Sequence, residues 1–99
     1  AWAGRWLVVT LAARGAMART PDGAVVAAPA HAIAQIDATG AGDAFGAGFV
    51  LALHDGMDDP LGFANACGAM VARRRGVLDG LPTRAAAQAF RGATPLNTA

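Results

Sequence analysis

The chain has 99 residues, 55% of them hydrophobic and 15% charged, so it holds at most one domain and is too apolar to be a disordered segment. A formal net charge of +1, with no aromatic interleaving and no nucleic-acid module, argues against a nucleic-acid partner despite the run Arg73-Arg74-Arg75. One cysteine cannot make an internal disulfide, and no His or Cys spacing marks a transition-metal site. No targeting segment or transmembrane span is expected, which leaves the cytoplasm as the expected compartment.

In chain order, Leu7-Val8-Val9-Thr10-Leu11 is a short β-branched apolar run ended by small residues and predicts a buried strand. The runs Ala16-Met17-Ala18-Arg19 and Ala24-Val25-Val26-Ala27 flank Thr20-Pro21-Asp22-Gly23. Asp-Gly between two β-capable runs predicts a hairpin, because glycine tolerates the positive φ such turns need. Pro29 and His31 belong to a connection, in which His31 is expected to be solvated, and Ile33 to Ile36 forms a last extended piece.

A helix is predicted from about Gly42 to Leu53, apolar on most faces and therefore buried, with Gly56 just past its end. Asp58-Asp59-Pro60 opens a second helix with an acidic N-cap and a first-turn proline. Joined by a few residues, the two helices should pack antiparallel. Cys67 on the second helix is expected to be a small buried apolar group, and Arg73 to Arg75 complement the dipole at its end. Leu81-Pro82-Thr83 breaks the chain and caps a last helix, roughly Arg84 to Arg91, followed by a mobile tail from Gly92. Trp2, Trp6, Phe45, Phe49 and Phe63 are candidates for exposed apolar surface.

The most informative run is Asp37-Ala38-Thr39-Gly40-Ala41-Gly42-Asp43, directly before the first helix. The first N–H groups of a helix lack intrahelical acceptors and sit at the positive end of the macrodipole, so a phosphate can be bound there by main chain alone. Glycine at Gly40 and Gly42 allows a sharp turn and close approach of an anion. A carboxylate at Asp43 is favoured in that first turn, and a base beside a bound phosphate can deprotonate an attacking hydroxyl. An ordinary tight turn followed by a first-turn acid is the bland alternative.

The run closely resembles the signature of the ribokinase-like (PfkB-type) carbohydrate kinase family, Asp-Thr-x-Gly-Ala-Gly-Asp followed by Ala or Thr, Phe and small residues. Asp37, Thr39, Gly40, Ala41, Gly42, Asp43, Ala44 and Phe45 fit, and Ala38 replaces the commoner Thr. The stretch Ala12 to Ala18 that follows the first strand looks like the family's Thr-Leu-Gly-x-x-Gly segment beside the nucleotide, with Ala12 in place of the first Gly. The resemblance covers only the family's C-terminal third. It implies an α/β fold, the C-terminal fragment of a three-layer α/β/α domain spanning residues 1–99, without the N-terminal sugar-binding portion.

The same resemblance implies ATP-dependent phosphoryl transfer to a hydroxyl of a sugar or sugar-like molecule. Asp43 would be the general base, and the backbone of Gly40, Ala41, Gly42 and Asp43 the anion hole. Thr10, Ala12, Gly15, Gly42 and Asn65 would contact the nucleotide. Mg²⁺ would arrive with ATP. A monovalent cation such as K⁺ would be held at Asp37, Thr39, Val71, Arg74, Gly76 and Gly80. A homodimer of the full-length parent is a candidate assembly, with neither nucleic acid nor membrane as partner. Two other readings stand beside this one. A non-catalytic fragment would retain only the nucleotide or phosphate site. A Rossmann-type dinucleotide binder is disfavoured because Phe45 stands where its third glycine should be.

Overall fold

The computed structural model describes residues 5–11, 15–31, 40–72, 83–94 and 96. Strands β1 (Leu7–Thr10), β2 (Ala16–Arg19) and β3 (Val25–Ala28) form an antiparallel sheet in that order. Helices α1 (Ala41–His54), α2 (Pro60–Ala72) and α3 (Arg84–Ala93) follow.

Register assigns the two faces of the sheet. Val8 pairs with Ala18 and Ala18 with Val26, while Thr10 pairs with Ala16 and Ala16 with Ala28. Ala16, Ala18 and Ala28 on this face are buried together with Phe45 and Phe49 of α1 and Leu61 and Ala64 of α2, with Val8 and Trp6 packed at the margin. The small alanines let the two helices lie close on the strands. Trp6 meets Phe49 edge-on, with ring centroids 5.2 Å apart. A second cluster, Ala44, Ala52, Phe63, Cys67, Val71 and Ala87, joins the three helices.

The hairpin forms where the Asp-Gly pair predicts it. Gly23 adopts φ 91°, and its N–H donates to the Thr20 carbonyl. The Asp22 carboxylate accepts from the Thr20 hydroxyl and the Ala24 N–H, and these bonds hold its pKa below the usual value.

The helix ends are equally local. Gly56 takes φ 66°, its N–H donates to Leu53 and the Met57 N–H to Ala52, a Schellman end that satisfies the last carbonyls of α1. Asp59 caps α2 through its carboxylate, which accepts from the Gly62 N–H at 3.0 Å, and Pro60 takes the first helical position. The other Asp59 oxygen pairs with Arg91 of α3. The Thr83 hydroxyl caps α3 by accepting from Ala86 N–H, and Arg84 pairs with Asp55.

Four expectations are corrected. Strand β1 is not buried: Leu7 and Val9 are 53% and 48% exposed, because alternate residues point away from the helices and no described layer covers that side. Helix α1 is buried on one face only, through Ala44, Phe45, Gly48, Phe49 and Ala52, while Val50, Leu51 and Leu53 are exposed. Phe45, Phe49 and Phe63 are buried rather than exposed, and Trp6 is partly covered; Trp2 lies outside the described residues.

His31, the fourth, is 5% exposed rather than solvated. Its Nδ1 lies 3.2 Å from the Thr94 carbonyl oxygen and its ring packs on Phe90, so the end of α3 covers it. Gly92 and Ala93 accordingly extend α3, and Leu96 forms a bridge with His31. The expected extended piece at 33–36 lies outside the described residues. No described helix is long and apolar enough to cross a membrane.

Candidate functional site

Gly40 occupies the N-cap of α1 with φ 81° and ψ −5°, a left-handed conformation that disfavours a side chain. Glycine also leaves the helix without a side-chain cap, and the Gly40 carbonyl accepts the first helical bond from Ala44 N–H at 2.9 Å. The N–H groups of Ala41, Gly42 and Asp43 are by helix geometry in excess of carbonyl partners and point out of the helix end. Gly42 is exposed, and a Cβ added to it would meet no described residue within 4 Å. The absence of a side chain at Gly42 therefore does not serve internal packing. Among the described residues, nothing fills the space beside Gly42 at the positive end of this 14-residue helix. Asp43 is exposed in the first turn, and Ala44 and Phe45 behind it are buried and anchor the opening in the core.

A second group of candidates gathers at the far end of the sheet. Thr10 ends β1 in register with Ala16, and the Leu11 N–H donates to the Gly15 carbonyl at 2.7 Å. Gly15 has φ 92°, and a Cβ there would collide with the Ala28 carbonyl oxygen and lie 2.8 Å from both Pro29 C and Ala30 N. Glycine is thus required twice over at this position. Asn65 on α2 donates from its side-chain amide to the Pro29 carbonyl at 2.7 Å, across thirty-six residues. Gly15 and Asn65 therefore converge on residues 28–30, and Thr10 stands on the far side of β2, opposite Ala16. Three residues after Asn65, a Cβ at Gly68 would come within 3.3 Å of the Ala41 carbonyl, so α2 also touches the opening of α1.

Val71 is buried near the end of α2. Ala12, Asp37, Thr39, Arg74, Gly76 and Gly80 lie outside the described residues. Among the described residues, no cluster of three or more His, Cys, Asp or Glu side chains could hold a metal. Two partners were not foreseen from sequence, the Pro29 carbonyl for Asn65 and the Thr94 carbonyl for His31; neither acceptor is a side chain, so no residue type announces it.

The model of the pfkB family carbohydrate kinases matches residues 2–84. The ATP-dependent ribose-1-phosphate kinase of Halopiger xanaduensis is 45% identical over 78 residues, covering 77% of this chain and 26% of that protein. Among solved structures, an Escherichia coli protein described as ribokinase II, in complex with ATP and Mg²⁺, aligns with TM-score 0.80 and 28% identity over 87% of this chain and 28% of its own. A Vibrio cholerae fructokinase double mutant with fructose, ADP and potassium bound aligns with TM-score 0.73 and 38% identity, over 86% and 30% of the two chains. The chain spans about a quarter of the length of the curated relatives it matches. With residues 2–84 matched by the family model and 87% of the chain aligned on a ribokinase structure, the chain belongs to the pfkB family of carbohydrate kinases.

Proposed function

We propose that this chain is the C-terminal, phosphoryl-handling part of an ATP-dependent kinase acting on a hydroxyl of a sugar or sugar-like substrate. The observation that carries the reading is the start of α1, where a left-handed Gly40 without a side-chain cap, an open Gly42 and an exposed Asp43 stand together. The solved relatives with ATP, ADP, fructose and Mg²⁺ support the substrate class.

The backbone N–H groups of Gly40, Ala41, Gly42 and Asp43 would donate to a phosphate at the positive helix end, a reading supported by the absence of any described residue within 4 Å of a Gly42 Cβ. Asp43 accepts the proton of the acceptor hydroxyl while that oxygen forms its bond to the γ-phosphorus and the bond to the departing ADP oxygen breaks. The N–H groups offset the charge that develops on the transferring group. When bound with the nucleotide, Mg²⁺ supplies charge neutralisation at the phosphate oxygens. Thr10, Gly15 and Asn65 are the described candidates on the nucleotide side. Ala12 belongs to the same segment, and Asp37, Thr39, Val71, Arg74, Gly76 and Gly80 remain candidates for a monovalent cation such as K⁺.

A second reading, nucleotide or phosphate binding without catalysis, draws on the exposed apolar face of the sheet and on the quarter-length span of the relatives. Titration of ATP·Mg²⁺ into the chain, followed by a phosphate-transfer assay against a panel of sugars, tests both. Binding with transfer supports the kinase. Binding without transfer supports the second reading, and a folded chain that ignores ATP overturns both for this chain.

A further inference from the structure

Glycine brings α1 and α2 close at Gly48, which faces Ala64 and Cys67, and again at Gly68, where an added Cβ would stand 3.3 Å from the Ala41 carbonyl oxygen and 3.5 Å from Phe45 Cβ. The second contact falls on the first residue of α1. A peptide unit is planar, so the Ala41 carbonyl and the Gly42 N–H are opposite ends of one rigid plate, and whatever moves the oxygen turns the N–H. By helix geometry, that N–H is in excess of carbonyl partners. A Cβ at residue 68 requires its neighbour to give by a few tenths of an ångström. The body of α1 is not free to do so. Phe45 and Phe49 are buried in one cluster with Ala16, Ala18 and Ala28 of the sheet, and Ala44 and Ala52 in another with Phe63 and Val71 of α2. What can give is the first peptide of α1, which has no helical turn before it.

We infer that Gly68 is a positioning residue for the phosphate-binding end of α1: by leaving room for the Ala41 carbonyl it seats the Ala41–Gly42 peptide, and so sets the direction of the Gly42 N–H. The inference rests on the reading under Proposed function for the meaning of that N–H, while the seating of the peptide is a property of the ligand-free chain. It differs from the packing role of Gly48, whose neighbours Cys67 and Ala64 meet α1 about two turns beyond the helix opening. The two glycines therefore separate stability from binding. Gly48→Ala meets the harder obstacle, Cys67 Sγ at 2.7 Å, and should lose more stability. Gly68→Ala meets the softer 3.3 Å contact and gains helix propensity, so it should fold, yet it acts on the peptide that faces the anion.

The test compares Gly68→Ala with Gly48→Ala. The residual dipolar coupling of the Gly42 N–H reports the direction of that bond. It should change in ligand-free Gly68→Ala while the couplings of Phe49 and Ala52 in α1 keep their values, and it should stay unchanged in Gly48→Ala. Titration with ATP·Mg²⁺ should show affinity about fivefold weaker in Gly68→Ala, the size of one compromised hydrogen bond. In Gly48→Ala the affinity should be nearly unchanged although that variant melts lower. An unchanged Gly42 coupling in Gly68→Ala overturns the inference, as does a changed coupling with unchanged affinity in a chain that binds ATP·Mg²⁺. Couplings of Gly42, Phe49 and Ala52 that change together, equal loss of affinity in both variants, or a Gly68→Ala chain that fails to fold would each make Gly68 a packing residue and overturn it. If the unsubstituted chain binds no ATP·Mg²⁺, the kinase reading fails for this chain and the coupling alone decides: a change confined to Gly42 keeps the seating role, and none removes it.

Discussion

Gly48 on α1 and Cys67 on α2 face each other so closely that a Cβ on Gly48 would stand 2.7 Å from Cys67 Sγ and 3.1 Å from its Cβ. The Ala64 Cα lies 3.4 Å from the same point, so the helix backbones approach at a place where only hydrogen fits. Gly48→Ala should destabilise the chain by about 1–3 kcal/mol through overpacking, less the ~1 kcal/mol that alanine returns in helix propensity. Adding Cys67→Ala removes the sulfur and should recover part of that loss. Denaturant unfolding of the two single variants and the double variant would show a favourable coupling of about 1 kcal/mol if the contact is as tight as it stands here.

Burial also pushes the Cys67 thiol pKa up from 9.0 to about 11. The folded state therefore holds the proton more tightly than the unfolded one. Stability from this group is fully present below pH 9 and is lost as pH rises towards 11, by on the order of 2–3 kcal/mol. Cys67→Ala should flatten that alkaline decline in thermal melts. At neutral pH a thiol reagent should label Cys67 only at the rate of opening.

At the helix end, Gly42→Leu should abolish ATP·Mg²⁺ binding with little change in melting temperature, because the added side chain enters open space. Asp43→Asn should leave binding nearly intact and, in the full-length parent, lower kcat by at least about 100-fold, the usual contribution of a positioned base. Equal loss of binding and turnover would make Asp43 structural.

Asp59 serves as the cap of α2 and as the partner of Arg91. Asp59→Ala should cost about 1–2 kcal/mol in urea unfolding, most of it from the lost cap because the ion pair is largely solvated. Asp59→Asn retains an oxygen for the Gly62 N–H and should cost less. Arg91→Ala should cost less than either if the cap dominates.

The features legible in the sequence are those decided within a few residues. Asp22-Gly23, Gly56, Asp59-Pro60 and Thr83 each act on backbone groups two to four positions away, and each stands where the residue pattern puts it. Gly40 to Asp43 is legible for the same reason. The exposure of Val9 and Val50 was not, since composition reports how apolar a strand or helix is but not whether anything lies across it. His31 and Asn65 escaped for a related reason: their partners are backbone carbonyls 63 and 36 residues away.

The His31 contact has a kinetic side. The hairpin and the α1–α2 pair close over a handful of residues, whereas joining His31 to Thr94 brings together positions 63 apart. Closure entropy grows with the length of chain enclosed, so the local pieces form first and the C-terminal clasp is among the last contacts made. By the same ordering it opens early: the end of α3 is the natural first point of entry for a protease, and nicking there exposes the His31 ring while the sheet and first two helices still stand.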